Sequence, residues 1–311
     1  MTRPSLAAIV LSLWCAVSPH AHAGDRSAQR GIVTGDPGPA RAGLRLLDDR
    51  GRPVVLPAPP RRIVSLAPHA TELLFAAGAG DRVVGVDASS SEPPQVRSLP
   101  RLQTHPQPDA ERLLALRPDL VVAWGAGLST QFVARVEAAG VPVFVSEPRA
   151  LDDVASTIER LAPLSADPDG ARALAAEYRQ ALAALRARYA AREPVRVFVQ
   201  VWSRPLVTLS DRDTVGDALR TCGARNVFGA MRAAAPQVDA EAVLQAAPRL
   251  IVSIEPSAGD ELWRALGVLA PQGAIAFAQV DAAIQRPTPA ALAAIPQLCE
   301  AVDRVRRAPV R

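Results

Sequence analysis

The imidazole groups of His69 and His105 are the side chains best suited to proton transfer or metal binding near neutral pH. The other two histidines, His20 and His22, belong to an N-terminal segment that we expect to be removed. The sequence has no lysine and no Gly-x-Ser-x-Gly, His-Glu-x-x-His or Gly-x-x-x-x-Gly-Lys motif, which would indicate a nucleophile, a zinc site or a phosphate loop. We therefore predict that the protein is not an enzyme and uses no cofactor.

Cys222 and Cys299 are the two cysteines that remain once the N-terminal segment, with Cys15, is removed. Cysteines of exported proteins are usually oxidised, so we predict a disulfide bond between them. Two buried free thiols are the alternative. A metal or redox role is less favoured because the two residues lack Cys-x-x-Cys spacing.

The pattern Pro-Gln-x-Asp-Ala-Glu occurs twice, at residues 106–111 and 236–241. In each copy an Asp is placed to cap a short helix, a Pro stops that helix, and a buried strand follows. A capped helix before a strand can recur by chance, but the shared start favours internal duplication. Two similar halves would place Glu111 and Glu241 at equivalent exposed positions.

Short apolar runs alternate with helical patterns on both sides of residues 167–193, which predicts parallel α/β structure twice over. A hairpin is predicted from Leu44–Leu47 and Pro53–Leu56. Residues 167–193 form one long helical pattern, without Gly or Pro from residue 171 onward. The predicted fold is therefore α/β, with two Rossmann-like lobes joined by a single long backbone helix and a ligand cleft between the lobes.

The chain divides into five predicted segments. Arg3, an apolar run from Leu6 to Val17 and the sequence Ala21-His22-Ala23 are typical of a cleaved signal peptide, and the run is too short to span a membrane. The segments are a signal peptide (1–23), a flexible leader (24–42), an N-terminal α/β lobe (43–166), a connecting helix (167–193) and a C-terminal α/β lobe (194–311). Cleavage of the signal peptide would give a soluble exported protein, which we expect to be a monomer.

The charge of the chain argues against a nucleic-acid partner. The formal net charge is only +4, and the basic residues are all arginines that lie scattered among acidic residues. Nucleic-acid-binding proteins instead cluster their basic residues on one face. The aromatic content of 4 % also leaves few large rings to stack on a ligand.

The predicted cleft contains few groups with chemistry of their own. His69 follows a strand and therefore points toward the cleft or, equally, toward solvent on the first turn of a helix. His105 directly precedes the first repeat, opposite Ala235 before the second, and a lone imidazole there could bind a metal centre. Trp202 and Arg204 follow a strand of the second half; packing at the strand end is the alternative role for both.

Several motifs together resemble one known family. They are Arg62-Ile-Val-Ser-Leu-Ala-Pro-His-Ala-Thr-Glu72, Pro93-Pro94, Arg117-Pro-Asp-Leu-Val-Val-Ala-Trp124, Cys222-Gly223 with Asn226-Val-Phe228, and Gln297-Leu-Cys299. From about Leu44 to Val305 the sequence resembles the periplasmic vitamin B12-binding proteins of bacterial ABC importers. The motifs near Glu72 and Leu120 are shared by the wider class of helix-linked, or class III, periplasmic binding proteins for corrinoids, haem and metal chelates.

The resemblance implies roles for individual residues. Glu111 and Glu241 match the two glutamates that dock onto arginines of the membrane permease, and the two cysteines match a disulfide of the family. The ligand-binding residues implied by position, together with those proposed above, are His69, Ser89, His105, Trp202, Arg204, Val207, Ala235, Asp281 and Arg286. The family places aromatic rings at four of these positions, and this chain has none there: Ser89, His105, Val207 and Ala235.

The predicted function is the delivery of cobalamin or a related corrinoid to an ABC permease, with the corrinoid as transported ligand. The first alternative is a haem or metal-chelate (siderophore) binding protein of the same class, in which His105 or His69 would be an axial ligand. An exported enzyme is the least favoured, because the sequence shows no nucleophile paired with a base.

Overall fold

The computed structural model describes residues 43–255, 259–270 and 274–308, so the predicted signal peptide and leader lie outside the described residues. The α-helices are α1 (Pro68–Ala76), α2 (Ala110–Ala115), α3 (Thr130–Ala138), α4 (Leu151–Leu161), α5 (Pro168–Tyr189), α6 (Thr214–Thr221), α7 (Ala240–Gln245), α8 (Glu261–Ala265) and α9 (Pro289–Arg307). The strands are β1 (Leu44–Leu47), β2 (Pro53–Leu56), β3 (Ile63–Ser65), β4 (Val83–Asp87), β5 (Arg101–Leu102), β6 (Leu120–Ala123), β7 (Val143–Val145), β8 (Val195–Gln200), β9 (Trp202–Ser203), β10 (Leu206–Val207), β11 (Ala224–Asn226), β12 (Leu250–Ser253) and β13 (Ala276–Gln279).

Two parallel sheets confirm the predicted α/β class. The first has the order β5-β4-β3-β6-β7 and the second the order β11-β8-β12-β13. The central strands are buried on both faces, as parallel strands covered by helices must be. The predicted hairpin of β1 and β2 is also present. We refer to the elements up to α4 as the first half and to those from β8 onward as the second half.

Two short edge strands, β5 and β11, were not predicted. They have two and three residues, too few to show an alternating pattern. Each exists because a neighbouring strand provides hydrogen-bond partners: β4 for β5, and β8 for β11. Their extended conformation depends on the sheet.

The two copies of the repeat have the same backbone course. Helices α2 and α7 each have six residues and an aspartate N-cap, Asp109 and Asp239. Two residues beyond the last residue of each helix, the chain takes a positive φ, 47° at Arg117 and 42° at Ala247.

Arginines at equivalent positions of the two halves donate hydrogen bonds to the carbonyl groups at the C-terminal ends of α2 and α7. In the first half, the Arg62 guanidinium donates to the carbonyls of residues 116 and 117. In the second half, Arg196 donates to the carbonyls of residues 246 and 247. The shared conformation and the shared cap support internal duplication.

Helix α5 follows the first half in the chain and precedes the second, and it lies within the helical segment predicted at 167–193. Asp167 caps it through the amide of Gly170, and its 22 residues span about 33 Å. The predicted apolar stripe is partly displaced: Tyr178 and Leu182 are buried, whereas Leu174 is only half-buried. Ala171 and Ala175 are buried on α5 together with the larger side chains of Tyr178, Leu182 and Tyr189.

The core explains how the halves are held. One face of each sheet has its own apolar cluster, around Val121 in the first half and around Phe198 and Trp263 in the second. The other faces contribute to one shared cluster that also includes α4, α5, α6 and α9. The described residues accordingly form a single compact unit, and the lobe boundaries at residues 166 and 194 stay predictions.

The structure confirms the disulfide between Cys222 and Cys299. Cys222 directly follows α6, Cys299 lies in α9, and both are fully buried. The bond therefore fastens the C-terminal helix to the second half. Within the described ranges, no helix has the length and apolar character needed to cross a bilayer.

Candidate functional site

The carboxyl ends of the parallel strands define the candidate site. Because all strands of a parallel sheet point the same way, the residues after them gather along one edge, where α/β proteins bind ligands. In the first half this edge carries Ser89 after β4, His105 after β5 and Trp124 after β6. In the second half it carries Trp202 after β8 and Asp281 after β13.

A buried carboxylate positions Ser89 and the residue before His105. Asp87, at the end of β4, is 2 % exposed. Its Oδ1 accepts a hydrogen bond from the Ser89 amide at 2.8 Å, and its Oδ2 accepts a short one from the Thr104 hydroxyl. Ser89 and His105 are thereby held on neighbouring loops, and both are exposed.

His69 lies on the first turn of α1 and is buried, with 9 % exposure. Its Nε2 is 3.3 Å from the carbonyl oxygen of Ser146, which follows β7. Burial disfavours the imidazolium and lowers the pKa of His69 to about 4, although the carbonyl opposes the shift. The ring is therefore neutral at neutral pH. The exposed imidazole of this edge is that of His105.

This burial predicts a loss of stability in acid. The pKa of His69 is lowered in the folded state, so its contribution is complete above pH 6.5 and is lost as the pH falls toward 4. Between pH 7 and pH 4.5 the His69 contribution to the free energy of unfolding should fall by about 2 kcal/mol. Urea titrations of wild type and His69→Gln should show this difference. His105→Gln is the control, and a wild-type pH dependence in His69→Gln would contradict the assignment.

The small hairpin of β9 and β10 brings together three predicted ligand residues. Trp202 is the register partner of Val207, which also bridges to Gln237. The Ser210 amide donates to the carbonyl of Ala234, so the segment with Ala235 runs beside β10. Trp202 is 59 % exposed.

Arg204 and Ser203 also belong to the hairpin of β9 and β10. Arg204 lies exposed in its turn. The Ser203 amide donates to the Glu255 carboxylate at 3.0 Å, which fixes the hairpin on the loop after β12. The exposure of Trp202 and Arg204 argues against the alternative role of strand-end packing for both.

Asp281 and Arg286 border a cavity that both halves line. The cavity measures about 500 Å³, and Glu72, Phe75 and Pro93 of the first half form its other side. Asp281 is exposed and caps the turn that follows it, through the Ala283 amide at 2.8 Å. Arg286 Nε donates to Glu72 Oε1 at 2.8 Å, so one of the predicted ligand residues joins the two halves directly.

Trp124 is a candidate that the sequence interpretation missed. It directly follows β6 and is 50 % exposed. An exposed indole is unusual because this side chain has a large apolar surface. The signal in the sequence was a tryptophan immediately after a buried strand, at the edge where ligands bind.

Glu111 and Glu241 both occupy the second position of a short helix, α2 and α7, and both are exposed. They are not among the residues that line the cavity near Arg286. In the described part of the chain, no group of three or more His, Cys, Asp or Glu side chains is arranged to hold a metal ion.

Comparison with known proteins identifies the family. Residues 63–261 match the family model described as periplasmic binding protein. The chain belongs to the periplasmic binding protein family. The vitamin B12-binding protein of Vibrio cholerae is 38 % identical over 248 residues, which cover 78 % of this chain and 89 % of that protein. The protein of the same name from Yersinia pestis is 38 % identical over 191 residues, or 61 % of this chain and 68 % of that one.

Solved structures of other periplasmic binding proteins share the fold. The periplasmic vitamin B12-binding protein of Vibrio cholerae superposes with a TM-score of 0.73 at 33 % identity, covering 80 % of this chain and 99 % of that one. The periplasmic haem-binding protein of Roseiflexus sp. RS-1 superposes with a TM-score of 0.67 at 25 % identity, covering 79 % and 99 %.

Proposed function

We propose that this protein is a periplasmic substrate-binding protein that carries cobalamin or a related corrinoid to the permease of an ABC importer. The identity of 38 % with a vitamin B12-binding protein supports this ligand class. The structural observation that carries the proposal is the pair of half-exposed rings, Trp124 and Trp202, at the carboxyl edges of the two sheets. Flat ring faces suit a flat macrocycle, because stacking removes much apolar surface from water.

The cleft is less aromatic than the resemblance would predict. The rings expected at residues 89, 105, 207 and 235 are replaced by smaller side chains and an imidazole. Each lost ring removes apolar contact worth on the order of 1 kcal/mol or more. We therefore propose that the remaining ring surface, together with Asp281 and Arg204, determines the affinity.

The ligand is tested by titration calorimetry with cyanocobalamin and cobinamide. Trp202→Ala should weaken corrinoid binding about tenfold, because the indole contributes roughly 1 to 2 kcal/mol of apolar contact. Val55→Ala is the matched control: it also shortens an exposed apolar side chain, with 58 % exposure, but on the N-terminal hairpin. Equal affinities for wild type and Trp202→Ala would exclude the indole from the site.

Haem is the second candidate ligand, favoured by the exposed imidazole of His105. Haemin should then bind tightly, the absorbance spectrum should show a coordinated iron, and His105→Ala should abolish both effects. Tight haemin binding that His105→Ala abolishes, together with no heat from either corrinoid, would overturn the corrinoid proposal.

We further propose that Glu111 and Glu241 contact the permease and not the ligand. Their equivalent exposed positions, on the repeated helices α2 and α7, support this assignment. Charge reversal at both, Glu111→Arg with Glu241→Arg, should abolish corrinoid uptake and leave calorimetric binding within about twofold of wild type. A large loss of soluble ligand affinity would instead place the glutamates in the ligand site.

We also propose how the protein is exported and organised. Residues 1–23 would be cleaved as a signal peptide and residues 24–42 would form a leader. The mature monomer would then consist of the lobes 43–166 and 194–311 on a connecting helix, without catalytic activity or cofactor. N-terminal sequencing of the exported protein should begin at Gly24.

A further inference from the structure

The two proposed docking glutamates have different electrostatic surroundings. Glu111 and Glu241 hold equivalent positions in a repeated motif, so equal surroundings would be expected from duplication alone. The side chains around them are not the same, and the difference concerns charge.

The first docking face comprises Asp109, Glu111, Arg112 and Arg135. Arg135, on α3, places its Nη2 3.2 Å from Glu111 Oε1. Arg112 lies beside them, with its Nε 3.9 Å from Asp109 Oδ2. Two arginines therefore compensate the two carboxylates, and this face is formally neutral.

The second docking face comprises Asp239, Glu241, Ala242 and Gln245. Ala242 stands where the first copy has an arginine. Glu241 Oε1 accepts a hydrogen bond from the neutral amide of Gln245 at 3.2 Å. Among the described residues no arginine lies within ion-pair distance of either carboxylate, so this face keeps two negative charges.

The arginine on the corresponding helix of the second half does not compensate them. Helix α8 follows β12 as α3 follows β6, and it carries Arg264. Its Nε is 2.6 Å from Asp260 Oδ1, one helical turn earlier. Arg264 is thus an exposed arginine with its own partner, which makes it a matched control for Arg135.

We propose that Arg135 weakens docking at the first face, and that the second face provides most of the electrostatic attraction to a cationic permease surface. This inference rests on the proposed docking role of the two glutamates. A cation of the permease must displace Arg135 from Glu111 and is also repelled by it. Exposed ion pairs are individually weak, and their effect on association falls with salt.

The test measures binding of the purified protein to inner-membrane vesicles of its native host, by interferometry and without ligand. Arg135→Gln should lower the half-saturating concentration about two- to fivefold at low salt, and this gain should shrink at high salt. Arg264→Gln should leave it unchanged. Glu241→Gln should weaken binding more than Glu111→Gln, and Glu111→Gln should remove the gain from Arg135→Gln.

Two results would overturn the inference while leaving the docking role of the glutamates intact. Weaker binding of Arg135→Gln would show that Arg135 contacts the permease itself. Equal losses from Glu111→Gln and Glu241→Gln at low salt would show that the two faces contribute equally. Failure of the ligand proposal is recognised separately, by calorimetry without heat from either corrinoid, whereas a wild-type protein that shows no saturable vesicle binding would overturn the docking role and this inference together.

Discussion

Replacing Cys222 and Cys299 together by alanine should lower the free energy of unfolding by about 4 kcal/mol. The bond joins residues 77 positions apart, and a cross-link of that span removes much conformational entropy from the unfolded chain. Because the cysteines connect α6 to α9, its loss also frees the C-terminal helix to separate from the second half. Urea unfolding followed by circular dichroism in oxidising buffer measures the effect.

Wild-type protein in strong reductant is the control for this change. Its unfolding curve should approach that of the double variant, since both lack the cross-link but differ in side-chain volume only slightly. If the double variant unfolds with the same free energy as the oxidised wild type, the bond makes no net contribution to stability and the prediction is wrong.

Asp217→Ala should lower the free energy of unfolding by about 3 kcal/mol. The Asp217 carboxylate, from the second half, accepts a hydrogen bond at the N-terminus of α4 in the first half. Asp217 Oδ2 accepts from the amide of Leu151, the first residue of α4, at 2.9 Å, and from Arg186 Nη2 on α5 at 3.0 Å. Its side chain is 11 % exposed. Removing it leaves a buried amide without an acceptor and an arginine with one partner fewer.

Asp152→Ala is the matched control for Asp217→Ala. Asp152 contacts the same guanidinium, with Oδ2 2.7 Å from Arg186 Nη1, but its side chain is 52 % exposed. Asp152→Ala should therefore cost less than about 1 kcal/mol in the same urea titration. Equal losses for Asp217→Ala and Asp152→Ala would show that Asp217 acts only as one more surface charge.

The contacts of Asp217 with α4 and α5 limit how far the two halves can move relative to each other. α4, α5 and α6 meet at Asp217, and the shared apolar cluster runs through all three helices. Large closure would require these helices to separate, so we expect the protein to stay nearly rigid on binding. Scattering curves with and without cyanocobalamin should nearly superimpose in the wild type.

Local chemistry made much of the fold predictable from sequence. The aspartates and prolines that start and stop α2 and α7 act within a few residues, and so does the Asp167 cap of α5. Short apolar runs bounded by turn signals, such as the four residues of β6 and Leu250-Ile251-Val252 in β12, are typical of strands that are buried on both faces. The pairing of Cys222 with Cys299 could be predicted for a different reason: with Cys15 assigned to the predicted signal peptide, only two cysteines are left to pair.

The site was less predictable because its members act through residues distant in sequence. Nothing near His69 indicated that its ring would be buried against the carbonyl of Ser146, 77 residues later. Likewise, Arg286 was expected to contact a ligand, and the structure shows that its Nε donates a hydrogen bond to the carboxylate of Glu72, 214 residues away. Trp124 was read as part of a family motif, and only its exposure after β6 shows that it is available to a ligand.

Capping residues, chain stops and the longer apolar runs act locally. The sequence alone therefore specifies most helices and the longer strands, their repeat, and the equivalence of Glu111 and Glu241, whereas the edge strands β5 and β11 need a neighbouring strand. Tertiary structure decided what surrounds those residues. It gave Glu111 an arginine from α3 and gave Glu241 only a neutral amide, and it joined both halves through one apolar cluster. Charge compensation and burial depend on packing between distant segments, which no local pattern specifies.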